Sequence, residues 1–181
     1  MKKIVLMLGL LAGIASTPAI AKPYVSGSVG LGIPGNLKEY IWDDKIDSGV
    51  AWNGAVGNNF GSYRLEGAVG YEKHDFTNTS ENVSMLTVMA NGYYDFDTKS
   101  DVIPYLMAGA GVADINVTWF PHSATSFVWQ VGFGAGFKVD DNITMDLGYR
   151  YIKPEGLECP GENYDVRWHS QHIMAGVRYQ F

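Results

Sequence analysis

Cysteine is nearly absent: Cys159 is the only one in 181 residues, so no internal disulfide can form. It lies beside Pro160 in a Gly/Pro/Glu-rich stretch and reads as a loop thiol, with an intermolecular bridge as the alternative. No cysteine stands directly after the N-terminal signal site, so a lipid-anchored lipoprotein is not expected. Basic side chains are also scarce. Lys and Arg number 13 against 19 Asp and Glu, a formal net charge of -6, and nothing suggests a nucleic-acid partner. Beyond the N-terminus no apolar run approaches the roughly 20 residues that a spanning helix needs, and no segment keeps a helical period. The four histidines, His74, His122, His169 and His172, show no ligand spacing, so no metal site is expected. Gly132-Phe133-Gly134-Ala135-Gly136 has glycines spaced at two rather than a strand-to-helix phosphate loop, and no cofactor is implied.

What is present begins with Lys2 and Lys3, an apolar run from Ile4 to Ile14 and the small-residue site Ala19-Ile20-Ala21. This pattern predicts a secretory signal over residues 1–21, cleaved before Lys22, and a mature domain over residues 22–181. Loss of the two lysines moves the charge to about -8.

The remainder alternates apolar and polar residues in eight segments separated by breaks. They run approximately from Tyr24 to Ile33, Ser48 to Gly57, Tyr63 to Glu72, Val83 to Phe96, Val102 to Ile115, Phe127 to Lys138, Ile143 to Ile152 and Asp165 to Phe181. Short breaks alternate with long polar or Pro-containing ones. This predicts an all-β fold: an eight-stranded antiparallel transmembrane β-barrel with short periplasmic turns and longer outer loops. Strands of about 9 to 11 residues suffice to span, and 22 glycines with 13% aromatics suit close strand packing and interfacial rings. One face of each strand is expected to meet lipid, as with Val25, Val29 and Leu31, Leu86 and Val88, or Met145 and Leu147. The fifth strand is ambiguous because both of its faces are apolar or Gly. Laid on alternating strands, Tyr63, Tyr94, Phe96, Phe137, Tyr179 and Phe181 collect near the periplasmic ends. Trp52, Tyr71, Phe127, Trp129, Tyr149 and Tyr151 collect near the outer ends. Two aromatic belts result, as interfacial rings with an apolar body and a polar tip require.

The opposite parity sends Arg64, Glu66, Glu72, Asn91, Gln130, Lys138, Asp146, Arg150, His172 and Arg178 inward among glycines. An eight-stranded barrel has room for little but side chains. Arg64, Glu66, Asp146, Arg150 and Arg178 are therefore expected to form a charge network that fills the lumen, with Glu66 and Asp146 pairing the arginines. A water-filled ion path is the functional alternative.

Arg64-Leu65-Glu66-Gly67, Asn91-Gly92-Tyr93-Tyr94-Asp95-Phe96, Pro104-Tyr105 before Gly109-Ala110-Gly111, Asp146-Leu147-Gly148-Tyr149-Arg150-Tyr151 and Gly176-Val177-Arg178-Tyr179-Gln180-Phe181 form an ordered series. The series resembles the small outer-membrane β-barrel family that includes the OmpA barrel domain, OmpX and opacity-type surface proteins. The resemblance spans essentially the whole mature chain. It implies an outer-membrane location among lipid and lipopolysaccharide, and delivery to the barrel assembly machinery through a C-terminal signal formed by Ile173, Val177, Tyr179 and Phe181. No peptidoglycan-binding domain is expected after Phe181.

Some barrels of this size modify lipid A, which draws attention to Arg167-Trp168-His169-Ser170-Gln171-His172. Adjacent strand residues point to opposite faces, so His169 and Ser170 diverge, and the His-x-Ser spacing of the outer-membrane deacylases is missing; no enzymatic activity is expected. Tyr40 and Trp42 in the first outer loop, and Trp119 and Phe120 in the third, are the candidate contacts for a surface ligand. The expected role is surface adhesion or envelope integrity, with a small-solute channel, a lipid A enzyme and a soluble ligand-binding barrel as rivals.

Overall fold

Strands with one apolar and one mixed face leave two unpaired edges unless the sheet curls until its last strand meets its first. The computed structural model describes residues 21–35, 48–75, 82–117, 124–155 and 169–181. In it the chain forms β1 (Lys22–Pro34), β2 (Gly49–Asn59), β3 (Tyr63–Asp75), β4 (Asn82–Asp95), β5 (Val102–Val117), β6 (Ala124–Lys138), β7 (Ile143–Glu155) and β8 (Ser170–Gln180). Each strand is antiparallel to the next, and β1 pairs with β8 from Tyr24 opposite Gln180 to Pro34 opposite Ser170, which closes the barrel. No helix among the described residues is long and apolar enough to cross a membrane.

The eight strands correspond one to one to the eight alternating segments. Several extend further at the long-loop end: β3 reaches Asp75, β5 Val117 and β7 Glu155. The eighth starts at Ser170, and residues 165–168, expected to belong to it, lie outside the described residues.

Between β2 and β3 the short turn needs a left-handed backbone at Gly61, φ 95°, where the Gly61 amide donates to Asn59 Oδ1 at 2.9 Å. Lys99 takes φ 51° between β4 and β5, where its amide donates to Asp97 Oδ1 at 3.0 Å.

Side chains outside the barrel include the apolar residues named above, Leu147 among them at 52% exposed, and Val50 on β2 at 64%. Inside, Arg64, Glu66, Glu72, Asn91, Gln130 and Arg178 are buried. That is the reverse of a water-soluble barrel. The register brings the belt rings together: Tyr63 meets Tyr94 at 5.2 Å and Tyr94 meets Phe96 at 4.9 Å at the short-turn end, while Trp52 meets Tyr71 at 6.1 Å near the other.

β5 resolves its ambiguity by sending Tyr105, Met107, Ala113 and Ile115 inward and Leu106 outward. Both faces had to be apolar. Toward the long loops an apolar cluster fills part of the lumen, in which Ala113 and Ile115 join Ala55, Ala68, Met85, Met89, Val128 and Ile152. Methionine, unbranched and flexible, fills such irregular space well.

Glycine is required where the Tyr105 ring lies along the inner wall. A Cβ at Gly134 would sit 2.5 Å from Tyr105 Oη and 2.6 Å from its Cζ, against a ring held in the core. Gly54→Ala, with nothing within 4 Å of the added carbon, is expected to be nearly neutral. Gly134→Ala should lower the unfolding free energy by about 1–3 kcal/mol through overpacking. Parallel urea unfolding of the two variants in lipid vesicles checks the contrast.

Candidate functional site

The lumen is built in two polar layers. Toward the short turns, Arg64 from β3 and Asp95 from β4 are diagonal neighbours on the inner face, because Arg64 lies opposite Tyr93. The guanidinium donates from Nε and Nη2 to the two Asp95 oxygens at 2.7 and 2.8 Å. Such bidentate pairing is the strongest geometry open to an Arg and a carboxylate. Arg64 Cζ also lies 4.2 Å from the Tyr93 ring centroid and 5.3 Å from that of Tyr105. Arg178 from β8 donates through Nη2 to Asp146 Oδ1 at 3.2 Å, and its Nη1 comes within 4.0 Å of Asp95 Oδ2.

Glu66 pairs differently from the expectation. Its neighbours across the strands are Asn91, directly opposite, and Tyr93, on the diagonal. Asn91 Nδ2 and the Tyr93 and Tyr24 hydroxyls donate to the carboxylate at 3.0, 2.7 and 3.0 Å. Arg64 stands on the same strand as Glu66 and turns to Asp95 instead. Gln130 extends the chain by donating to Asn91 Oδ1 at 2.6 Å. Arg150 lines a cavity of about 20 Å³ together with Glu72, Gln130, Met85 and His172. Asp95, Tyr24, Tyr93 and Tyr105 were not assigned to the lumen network from the sequence, although Tyr93, Asp95 and Tyr105 stand in the segments that carry the family resemblance. Their inward parity was readable, since Asp95 lies between two outward belt rings.

Below this layer a cup of about 920 Å³ opens at the short-turn end. Asp95 and Arg178 reach it, and Lys22, Lys99, Lys138, Asp97, Asp101 and Asp141 help to line it. Lys138, expected inside, is therefore at the mouth.

The second layer lies toward the long loops. Glu72, His74, Ser170 and His172 meet there, all buried, from β3 and β8. His172 Nε2 contacts both Glu72 Oε2 and, at 3.1 Å, Ser170 Oγ; His74 Nε2 is 3.7 Å from Glu72 Oε1. Ser170 and His172 share parity, and that spacing of two was the sequence signal for the cluster. A hydrolytic triad needs the carboxylate on one ring nitrogen and the serine on the other. Here one nitrogen meets both, so the imidazole is not set to take the serine proton. Among the described residues no group of three or more His, Cys, Asp or Glu side chains is arranged to hold a metal ion.

His169, by contrast, stacks on Tyr151 at 5.2 Å. Ile173, Val177 and Tyr179 project from the outer face of β8, and the Phe181 ring meets Tyr179 edge-on at 5.1 Å. The Phe181 amide donates to Pro23 O at 3.0 Å. Tyr40, Trp42, Trp119, Phe120, His122 and Cys159 lie outside the described residues.

A closed eight-stranded barrel, apolar outside and ionic within, is the architecture that the family profile described as "Outer membrane protein beta-barrel domain" matches across residues 4–181. The chain belongs to this family. It is an outer-membrane protein, so the short turns are periplasmic and the long loops face outward. Among curated relatives it is 30% identical over 126 residues to outer membrane protein PagN of Salmonella typhimurium, covering 58% of this chain and 53% of PagN. The chain thus spans about half the length of that relative. Among solved structures, Neisserial surface protein A superposes with a TM-score of 0.70 at 25% identity, over 89% of this chain and 99% of its own. Ail, the attachment invasion locus protein of Yersinia pestis, solved with the heparin analogue sucrose octasulfate, superposes at 0.53 and 16% identity over 89% and 99%, a likeness of fold.

Proposed function

We propose that this barrel is a non-enzymatic surface protein that acts through its outer loops, in adhesion or in envelope integrity, and not a route for solutes. The observation that carries this reading is the filled lumen. The Arg64–Asp95–Arg178–Asp146 layer and the apolar cluster above it occupy the passage with side chains, and the cavity beside Glu72, Gln130, Arg150 and His172 measures about 20 Å³, room for roughly one water. The signal over residues 1–21 and the assembly signal ending in Phe181 belong to the same proposal, with the barrel assembly machinery and lipopolysaccharide as envelope partners.

The segments 36–47, 76–81, 118–123 and 156–168, which join the strands on the outer side, carry eight acidic side chains and three basic ones. They also hold Tyr40, Trp42, Trp119, Phe120 and Trp168. Acidic, aromatic-bearing connections favour a neutral or basic partner over a polyanion, since like charges facing each other across an interface repel.

The cup of about 920 Å³ favours the channel as a second reading, because it brings water to the floor of the network. One pair of measurements separates the two. Planar bilayers containing the purified chain should show no reproducible conductance steps. Cells expressing it should attach to surfaces coated with a basic protein more than to heparin, and Trp42→Ser with Trp119→Ser should reduce that attachment several-fold. Steady channels whose selectivity changes in Glu66→Gln would overturn the filled-lumen reading; attachment unchanged in the double variant would overturn the role of these loops.

A further inference from the structure

Leucine and methionine occupy nearly the same volume, yet the barrel sorts them by face. Among the described residues Leu31, Leu65, Leu86, Leu106 and Leu147 stand on the outer wall, while Met85, Met89, Met107 and Met174 are buried in the lumen and Met145 alone faces out. Volume does not separate the two residues. The lumen therefore selects what leucine lacks, a flexible stem that carries a polarizable thioether. Three of these methionines border one small cavity. Met85 and Met89 from β4 and Met174 from β8 line a space of about 20 Å³, together with Glu72, Arg150 and His172. Met174 Sδ lies against β1, 2.8 Å from where a Cβ on Gly30 would stand, and Ala51, paired with Gly30 on β2, is part of the cavity wall.

Two polar groups on that wall have bonding capacity left. Glu72 is 2% exposed, and its Oε1 accepts no hydrogen bond among the described residues, with His74 Nε2 3.7 Å away. His172 uses Nε2 for Glu72 Oε2 and Ser170 Oγ, so Nδ1 is the ring nitrogen open to a further ligand. An imidazole held through one nitrogen by a carboxylate is the usual arrangement at a metal, because the carboxylate fixes the ring and makes the other nitrogen more basic.

Thioethers, an imidazole and a single carboxylate oxygen make a soft donor set of low charge. Calcium and magnesium need several oxygen ligands, and thioethers select copper(I) over hard ions. Among the described residues the wall carries one carboxylate, Glu72, and one guanidinium, Arg150, so a divalent ion would bring two uncompensated charges into the lumen where a univalent ion brings one. We propose that this cavity is a binding site for a soft univalent metal ion of the copper(I) class. The thioethers of Met85, Met89 and Met174 and His172 Nδ1 hold the ion, and Glu72 orients the ring and offsets the charge. Such an ion adds to the filling of the lumen, and its site is independent of the outer loops.

The test uses the protein isolated from outer membranes in detergent, with Cys159→Ser as the parent so that the loop thiol does not compete for the metal. Copper(I) is supplied anaerobically under reducing conditions, both to the folded barrel and during refolding, against a chromophoric copper(I) chelator. The parent should retain copper(I), and excess zinc should not displace it. Met85→Leu with Met174→Leu, volume-conserving swaps of the kind that cores tolerate, should weaken retention by at least about ten-fold, the least that loss of a supporting partner costs a metal site. Glu72→Gln should weaken it about ten-fold through the ring it holds. Met107→Leu, in the separate cluster with Tyr93 and Tyr105, should leave retention unchanged. The heat-dependent shift in gel mobility reports whether each variant is folded. Labelled methionine methyl resonances give a readout that needs no variant to fold: silver(I), a diamagnetic substitute for copper(I), should move those of Met85, Met89 and Met174 and leave that of Met107. Absence of retained copper(I), which would leave water as the occupant of the cavity, would overturn the proposal. So would equal losses in Met107→Leu and the double variant, displacement by zinc, or silver-induced shifts that miss these three methionines.

Discussion

Asp95→Ala should lower the unfolding free energy by about 3–5 kcal/mol, the range observed when one partner of a buried ion pair is removed. The residue accepts both Arg64 donors at 2.7 and 2.8 Å, and it is the nearest carboxylate to Arg178 after Asp146. Arg64 is 3% exposed, so a truncated Asp95 leaves a guanidinium in the lumen with no carboxylate on it. Asp95→Asn keeps the shape and one acceptor but removes the charge, and it should fall between parent and alanine variant. Glu155→Ala on the exposed rim breaks its contact with Lys153 as well, yet should cost less than about 1 kcal/mol, because water and salt screen that pair. Urea unfolding in lipid vesicles, followed by tryptophan fluorescence and by the difference in gel mobility between heated and unheated samples, ranks all three. Equal losses at Asp95 and Glu155 would mean that the lumen is as wet as the surface.

The prominence of Asp95 also marks where sequence reading ends. Parity is a one-dimensional property, and it set the faces of seven strands: the same alternation that sends Val25, Leu65 or Leu147 to lipid sends Arg64, Glu66 and Arg178 inward. Pairing depends on register and strand tilt. Glu66 was expected to meet an arginine, yet the diagonal Tyr93 and the opposite Asn91 reach it first, and the arginine goes to a carboxylate that sits one step beyond them. β5 failed the parity test for a different reason. Its inward face meets an apolar core, so both of its sides carry small and apolar residues, and alternation holds no contrast to read. The meeting of Glu72 with Ser170 and His172 joins residues about 100 positions apart across the β8–β1 closure and β2, which no local pattern encodes.

The two halves of the lumen solve one problem by different means. A bilayer supplies no water to the barrel wall, so each inward polar group has to find its partner inside. Near the periplasm Arg64, Asp95, Asp146 and Arg178 do so as a charged layer, with three tyrosine rings packed around the guanidinium of Arg64. Toward the outer side the chain eases the demand, setting Met85, Met89, Val128 and Ile152 among the buried polar side chains of Glu72, His74, Thr87, Ser126, Gln130 and His172. An ion entering from the periplasmic cup would first have to separate the pairs and then cross an apolar segment, which is why the conductance expected above is nil.

Leu147→Arg is the second large effect expected, and it tests which face of the barrel meets lipid. Leu147 projects outward with 52% of its surface exposed, midway between the level of the periplasmic belt ring Tyr179, which lies opposite Ile143, and the outer belt ring Tyr151. An arginine at the bilayer midplane costs about 2–4 kcal/mol, whereas near the interface the cost falls to about 0–1 kcal/mol. Val50→Arg, equally outward but opposite Lys73 at the outer end of β2, should therefore be nearly silent. Three residues further along the strand from Leu147, on the inner face, Arg150 is native and lies among Glu72, Gln130 and His172. A barrel dissolved in water would show the opposite dependence: Leu147→Arg would be harmless or solubilising, and depth along the strand would not matter. Folding both variants into lipid vesicles, and comparing their urea midpoints with that of the parent, therefore reads orientation and depth together. A loss at position 147 well above that at position 50 is the expected result; matching midpoints would remove lipid from the outer face.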